Sequence, residues 1–216
     1  ANEHAGGLRG MAAGPPYRVF EEEAQMWEER LARIQTVFDL WADVQRQWVY
    51  LHGIFAGAGS EAMMHILPVE SARFQSISSE FLALLKKVLK APYVLDVIAV
   101  PGIRASLERL AELLNRIQTA LGEYLERERG RFPRFYFVGD DDLLEMLGHG
   151  RDIAHASRHL SKMFAGLATV HADGTLIRAV ETTAGERVEL IAPVAVRDGM
   201  PVHEWLDALQ NAIRTT

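Results

Sequence analysis

Residues 107–147 read LERLAELLNRIQTALGEYLERERGRFPRFYFVGDDDLLEML. The first half predicts a long helix, because its apolar residues recur every three or four positions among charged ones. The helix should stop at the aromatic block Phe132–Phe137, which a Gly-Asp-Asp-Asp turn and a second helix follow. Nothing in this stretch resembles a catalytic centre. We therefore interpret it as a stiff helical lever that ends in an aromatic joint.

The composition is that of an ordinary globular protein. The chain has 216 residues, of which 49% are hydrophobic and 24% charged, enough for one large domain or two small ones. The net charge of −6 argues against a nucleic-acid partner, since such proteins usually present a basic face. No cysteine is present, which fits a reducing compartment. No segment approaches the ~20 apolar residues of a membrane-spanning helix, so we expect no membrane partner.

Long helices are predicted between residues 17 and 129. Helical periodicity gives a single buried stripe to each, and Gly or Pro residues lie at the predicted ends. The first predicted helix begins near Tyr17 to Phe20 and stops within Gly53 to Gly59. The others are Val69 to Leu89, a short piece over Tyr93 to Val100, and Ile103 to Arg129, with Gly130 as the break. The stripe of the first comprises Phe20, Ala24, Trp27, Leu31, Ile34, Phe38, Trp41, Val44, Trp48, Leu51 and Phe55, and that of the last comprises Ile103, Leu107, Leu110, Leu114, Ile117, Leu121, Tyr124 and Leu125.

The second half of the chain is predicted to be mixed. Phe132–Val138 should be extended, because Pro133 disfavours helix just before it and aromatic residues suit strands. Asp140 should cap a helix over Asp141–Leu147, and another helix should span Asp152–Phe164. The period then changes to two, with Asp-Gly and Ala-Gly at the turns. The predicted strands are Leu167–His171, Leu176–Thr182 and Arg187–Ile191, and a final helix starts near Pro201.

These elements predict a mainly α fold: an elongated, arch-like bundle of long helices with a small antiparallel β-hairpin or meander insertion near the C-terminal end. The expected division is a flexible Gly/Ala/Pro-rich lead-in over 1–16, helical subdomains over 17–165, the β insertion over 166–192, and the start of a further helix over 193–216.

Two groups of residues have the chemistry of metal ligands, and both have a simpler interpretation. Asp140, Asp141 and Asp142 could bind Mg²⁺, but consecutive carboxylates at a helix start are better explained by the helix dipole. His155 and His159 are four apart, so both would face one side of a helix, but a zinc site needs a third or fourth ligand. His149 and His171 are near in sequence without being placed by it. We therefore predict no metal and no cofactor.

No catalytic constellation is predicted either. The Gly53–Gly59 run lacks the lysine of a phosphate-binding loop, a Gly-x-Ser-x-Gly elbow is absent, and the His203-Glu204 pair lacks a second histidine. Trp27, Trp41, Trp48 and Phe55 fall on a helical stripe and are interpreted as core residues.

The aromatic block allows two interpretations. As a strand it would alternate, with Phe135 and Phe137 in the core and Arg134 and Tyr136 on the other side. An exposed aromatic side chain beside an arginine is typical of an interface anchor. Arg134 and Tyr136 are therefore candidate interface residues.

Four segments resemble a known family. DLWADVQRQWVYLHGIF (Asp39–Phe55), LPVESARFQSISSEFLALLKKV (Leu67–Val88), SLERLAELLNRIQTALGEYLERER (Ser106–Arg129) and FPRFYFVGDDDLLEML (Phe132–Leu147) resemble, in order, the linker region of dynein heavy chains. The resemblance is nearest to the cytoplasmic, cargo-carrying type. KMFAGLATV (Lys162–Val170) and HEWLDAL (His203–Leu209) extend it, so that it covers nearly all of residues 16–213.

The resemblance implies a mechanical role. In dyneins the linker is a mostly helical arch across a ring of ATPase modules, and its bending and straightening drives movement toward microtubule minus ends. The implied partners are the ring and tail of the same heavy chain, with a homodimer and accessory chains in the intact protein. The ATP sites would lie outside this segment, which would not be an enzyme, and the location would be the cytoplasm, in association with the cytoskeleton. The alternative is a passive helical scaffold of the tail.

The breaks between helices are candidates for a hinge, since hinges are usually a few residues at element ends. The loops Gly53–Gly59 and Gly148–Gly150 are the two we expect to flex during the stroke.

Overall fold

A computed structural model describes residues 2–12, 14, 17–57, 60–150 and 152–216. The chain divides into two compact units, one formed by residues 1–56 and 69–118, the other by residues 57–68 and 119–216. In chain order the elements are α1 (Asn2–Met11), α2 (Tyr17–Phe55), α3 (Ser60–Ile66), α4 (Pro68–Lys90), α5 (Val94–Ala99), α6 (Ile103–Arg131), a 3₁₀ helix (Pro133–Phe137), α7 (Asp140–Gly148), α8 (Ile153–Ser157), α9 (Leu160–Met163), β1 (Leu167–Asp173), β2 (Leu176–Thr182), β3 (Arg187–Ala195) and α10 (Val202–Thr215). The predicted mainly α fold with a small antiparallel sheet near the C-terminal end is confirmed.

Helix α6 carries the buried stripe predicted for it. Seven of its predicted positions are at most 2% exposed, and only Tyr124 is half-buried. The helix contributes residues 103–118 to the first unit and 119–131 to the second. Gly130 does not end it, because a single glycine costs a helix only ~1 kcal/mol. Its last turn also carries an ion pair between Arg131 and Glu128.

Helix α2 begins where predicted, but its buried surface is narrower than predicted. Val37, Val44 and Leu51 are fully buried and lie seven residues apart, which gives one buried line along the helix. Trp48 lies at the edge of that line, with its ring 5.4 Å from Phe81.

The N-terminal half of α2 leaves much of its apolar side in solvent, so several core assignments there are wrong. Phe20 is 59% and Trp27 36% exposed, and Trp27 lies under the Arg30 guanidinium at 5.0 Å instead. The interpretation of Phe55 as a core residue is confirmed, since it stacks on Phe74 at 5.6 Å.

The lead-in predicted for residues 1–16 contains helix α1, although Ala1, Ala13, Pro15 and Pro16 lie outside the described residues. Glu3 in its first turn and Arg9 in its last suit the helix dipole. The helix packs against α2, where Leu8 and Met11 line an apolar cleft with Phe20. Tertiary contact therefore orders a stretch whose glycines alone disfavour helix.

Two further boundaries differ from the prediction. Asp140 is the first residue of α7, and Gly139 holds the capping position without a side chain to bond. The helix predicted over Asp152–Phe164 is two short helices, α8 and α9, separated at Arg158–His159. Asp152 caps the first of them by accepting a hydrogen bond from the His155 amide at 3.1 Å.

The three strands form an antiparallel sheet in the order β1-β2-β3, with Val170 opposite Val180 and Val180 opposite Val188. The predicted strands are confirmed, and β1 and β3 extend beyond the predicted ends. Gly174 and Gly185 occupy the turns with φ of 61° and 80°, where an L side chain would be strained. Helix α10 packs on β3, and α8 and α9 pack near β1.

Candidate functional site

The aromatic block is a 3₁₀ helix, not the predicted strand. Proline is well tolerated in the first turn of a helix, and it occupies that place here as Pro133. Because the turn repeats every three residues, Phe132 and Phe135 share the buried side and meet edge to face at 5.1 Å. The core role of Phe135 is confirmed, and that of Phe137 is wrong, since its side chain is 69% exposed.

Arg134 is engaged within the chain. Its Nε donates to Gln210 Oε1 at 2.7 Å and its Nη1 to the carbonyl of Met163 at 2.6 Å. The guanidinium also lies 4.6 Å from the ring centre of Phe164. These contacts join the 3₁₀ helix to α9 and α10.

Tyr136 is exposed and belongs to a charged group at the end of α6. Its hydroxyl bonds Glu126 at 3.1 Å, and this hydrogen bond raises the pKa of Tyr136 above its ordinary value. Arg129 lies 5.9 Å from the ring centre and bonds Glu126 at 3.0 Å and Asp140 at 2.5 Å. The hydrogen bond to Asp140 is the main cause that raises the pKa of Arg129. Asp140 therefore ties α7 to α6 in addition to its place at the helix start.

The last turn of α6 also contains a buried carboxylate. Glu128 is 5% exposed, accepts from Arg131 Nη1 at 2.5 Å, and has His203 Nδ1 of α10 at 3.6 Å. One turn earlier, burial and then the charge of Glu128 raise the pKa of Tyr124 to about 12.

The loop after α7 brings histidines and carboxylates together. His155 Nε2 lies 2.5 Å from Glu145 Oε1, and its ring stacks on His149 at 4.5 Å. Asp142 accepts from Lys162 at 2.6 Å, and this bond lowers its pKa below the ordinary value. Within the described part of the chain, Asp142, Glu145 and His159 are the one group of three with the spacing of metal ligands.

The sequence had placed these residues in two separate groups. The consecutive aspartates have different partners, Arg129 for Asp140 and Lys162 for Asp142. His155 and His159 do not share a continuous helix. Glu145 was missed, although Asp142-x-x-Glu145 places both carboxylates one helical turn apart on the same face.

The two candidate hinges differ in what the structure describes. Gly53 lies inside α2, and Ala58 and Gly59 fall outside the described residues. Gly150 is closely packed, because a Cβ added there would lie 2.6 Å from Val202 Cγ2. None of the described helices has the length and apolar character required to cross a bilayer.

Comparison with known proteins gives one consistent result. The family model described as "Dynein heavy chain, N-terminal region 2" matches residues 1–216. Cytoplasmic dynein heavy chains are similar over 216 residues: that of Drosophila melanogaster is 51% identical over 99% of this chain, that of Neurospora crassa 51% over 100%, and that of Dictyostelium discoideum 47% over 99%. The chain spans only 4–5% of the length of these relatives. With a family model matching from end to end and relatives at this identity, the chain belongs to the dynein heavy chain family and matches its N-terminal region 2.

Proposed function

We propose that this chain is a mechanical linker segment of a dynein motor heavy chain, which transmits ATP-driven changes of the ATPase ring into the power stroke toward microtubule minus ends. The observation that carries the proposal is the length and burial of α6. The helix is 29 residues long and its apolar stripe is buried from Ile103 to Leu125, with Tyr124 half-buried, so bending this part of the helix would open packed contacts.

The segment is proposed to act with the rest of its own heavy chain. Its partners would be the ring and tail of that chain, and a second heavy chain and accessory chains in the intact protein, in the cytoplasm and on the cytoskeleton. The segment itself would be no enzyme, and ATP would be hydrolysed elsewhere in the heavy chain. Residues 17–165 would form the helical linker proper, 166–192 its β insertion and 193–216 the start of the next linker helix.

We retain Arg134 and Tyr136 as residues of the interface with the ring, with different roles. Tyr136 is 59% and its neighbour Phe137 69% exposed, so these two rings can contact a partner directly. Arg134 would hold the 3₁₀ helix that presents them, through its bonds to Gln210 and Met163.

The function is tested by energy transfer between a fluorophore on this segment and one on the ring of the intact heavy chain. The expected result is a change in transfer efficiency between the nucleotide-free and ATP-bound motor. Constant transfer with ATP turnover intact would contradict the moving linker and favour the passive tail scaffold. The Tyr136→Ala plus Phe137→Ala variant should weaken docking to the ring, whereas the same change at exposed Tyr93 should not.

A further inference from the structure

The carboxylates of α7 and the ring of His159 converge in the second unit. Asp142 and Glu145 lie one turn apart on α7, and His159 follows α8 immediately before α9. One nitrogen or oxygen atom from each of the three residues lies within 4.8 Å of the others.

The imidazole of His159 has no hydrogen bond to any described residue. The residue is 6% exposed, and both ring nitrogens are buried. Nδ1 lies 3.5 Å from Asp142 Oδ1 and Nε2 lies 3.6 Å from Glu145 Oε2. Hydrogen bonds from nitrogen to oxygen are typically about 2.7–3.2 Å long, so both gaps are too wide. A buried polar atom without a partner destabilises the fold, and an ion bound to one ring nitrogen would give that nitrogen a partner.

The second oxygen of each carboxylate is already held. Glu145 Oε1 meets His155 Nε2 at 2.5 Å, and Asp142 Oδ2 accepts from Lys162 Nζ at 2.6 Å. The remaining oxygens, Asp142 Oδ1 and Glu145 Oε2, are the ones that face His159. Outer partners that orient ligand atoms in this way are typical of metal centres.

The atom types fit a particular class of ion. Tetrahedral ligands about 2.0–2.1 Å from zinc lie about 3.3–3.5 Å from one another, whereas the three candidate ligand atoms lie within 4.8 Å of one another, so the side chains would have to close in around an ion. One imidazole nitrogen with two carboxylate oxygens suits first-row transition metals, whereas Ca²⁺ and Mg²⁺ prefer oxygen alone. A single ion binds one ring nitrogen of His159, so the carboxylate that faces the other nitrogen must turn toward the ion. Water completes the coordination shell.

We propose that Asp142, Glu145 and His159 form a site for a divalent transition-metal ion, zinc foremost, that fastens α7 to the α8–α9 segment. The sequence argued against zinc because two histidines alone are too few ligands. The fold supplies the two carboxylates, and His155 acts on Glu145 as an outer partner.

The test is calorimetric titration of the 216-residue chain with Zn²⁺, using the His159→Phe and Asp142→Asn variants. The control is His171→Phe, because His171 also pairs with a carboxylate, Glu181 at 2.7 Å, and stands outside the three-ligand group. We expect one zinc per chain, an affinity at least tenfold weaker in both site variants, and no change in the control. Zinc should also raise the melting temperature of the wild type and of the control more than that of the site variants, since a ligand of the native state stabilises it.

If His159→Phe fails to fold, the Asp142→Asn variant still tests the proposal, because the side chain of Asp142 is partly exposed and its replacement disturbs the core less. Equal zinc affinity in the wild type and Asp142→Asn would overturn the proposal. So would binding in the wild type that does not saturate at one ion per chain.

Discussion

At the scale of the residue, Arg134 makes three contacts within the chain that should stabilise the fold. Two hydrogen bonds and the Phe164 ring fix the 3₁₀ helix to α9 and α10. A hydrogen bond from a charged group contributes about 1.5–3 kcal/mol, and the two bonds here share one guanidinium, so their contributions do not simply add.

We therefore expect Arg134→Ala to lower the free energy of unfolding by about 2 kcal/mol, measured by urea denaturation. Arg104→Ala is the matched control. Among the described residues Arg104 pairs with exposed Glu108 on its own helix, so its loss should cost about 0.5 kcal/mol or less. Equal losses in the two variants would show that the contacts of Arg134 do not stabilise the fold.

Tyr124 should make the stability of the folded chain decrease at alkaline pH. Its pKa is about 12 in the folded chain against 10.0 for an ordinary tyrosine, because burial and Glu128 oppose the phenolate. Because the pKa of Tyr124 is higher in the folded chain than in the unfolded chain, the neutral phenol contributes fully to the free energy of unfolding below pH 10. This contribution is lost as the pH rises from 10 through about 12.

Urea unfolding of the wild type should accordingly show a stability that falls more steeply between these pH values than that of Tyr124→Phe. A Tyr93→Phe variant, which changes an exposed ring, serves as the reference for general alkaline effects. Parallel pH curves for the wild type and Tyr124→Phe would remove Tyr124 as the cause.

At the scale of the element, Gly150 and Gly122 have opposite surroundings. Substituting alanine at each distinguishes the effect of close packing from the effect of backbone flexibility. Gly150 lies after α7 with Val202 Cγ2 only 2.6 Å from where its Cβ would be, and Gly122 lies in α6 with nothing within 4 Å. The φ of Gly150 is not positive, so the close approach of α10 is what favours glycine there.

Gly150→Ala should therefore destabilise the chain by about 1–3 kcal/mol, as overpacking does, whereas Gly122→Ala should stabilise it by about 0.5–1 kcal/mol. Thermal and urea unfolding give both values. Adding Val202→Ala should recover part of the loss at Gly150. If Gly150→Ala leaves the free energy of unfolding unchanged, α10 can shift to make room. That result would favour the Gly148–Gly150 loop as a flexible hinge.

At the scale of the whole molecule, the other hinge candidate begins where α2 ends. Gly53 is within the last turn of α2, and a Cβ there would meet nothing within 4 Å. Alanine therefore stiffens this turn without a clash, because it reduces backbone freedom.

In the intact heavy chain, Gly53→Ala should slow microtubule gliding while ATP turnover and thermal stability are kept. Gly122→Ala, an equally open helical glycine, should leave the gliding velocity unchanged. Wild-type velocity in both variants would exclude the end of α2 as the moving joint.

Most of the element order could be predicted from the sequence. Helical periodicity in α6 and the change to a period of two after Leu167 depend on local spacing, which survives whatever the chain packs against. The aromatic block was mistaken for a strand, because Pro133 also suits the first turn of a helix and local rules did not decide between the two. The α2 stripe was predicted too wide, since periodicity marks the apolar side of a helix but not whether another element covers it.

The sequence by itself determined the long helices α2, α4 and α6 and the three strands, because these follow from residue spacing along the chain. It also indicated the family, through the resemblance of four long segments. Only the tertiary structure decided that Arg134 points inward, that Gly150 lies against Val202, and that Asp142 and Glu145 meet His159. The physical reason is that each of these depends on which helices pack side by side. Residues that are 14 positions or more apart have no local rule that brings their side chains together.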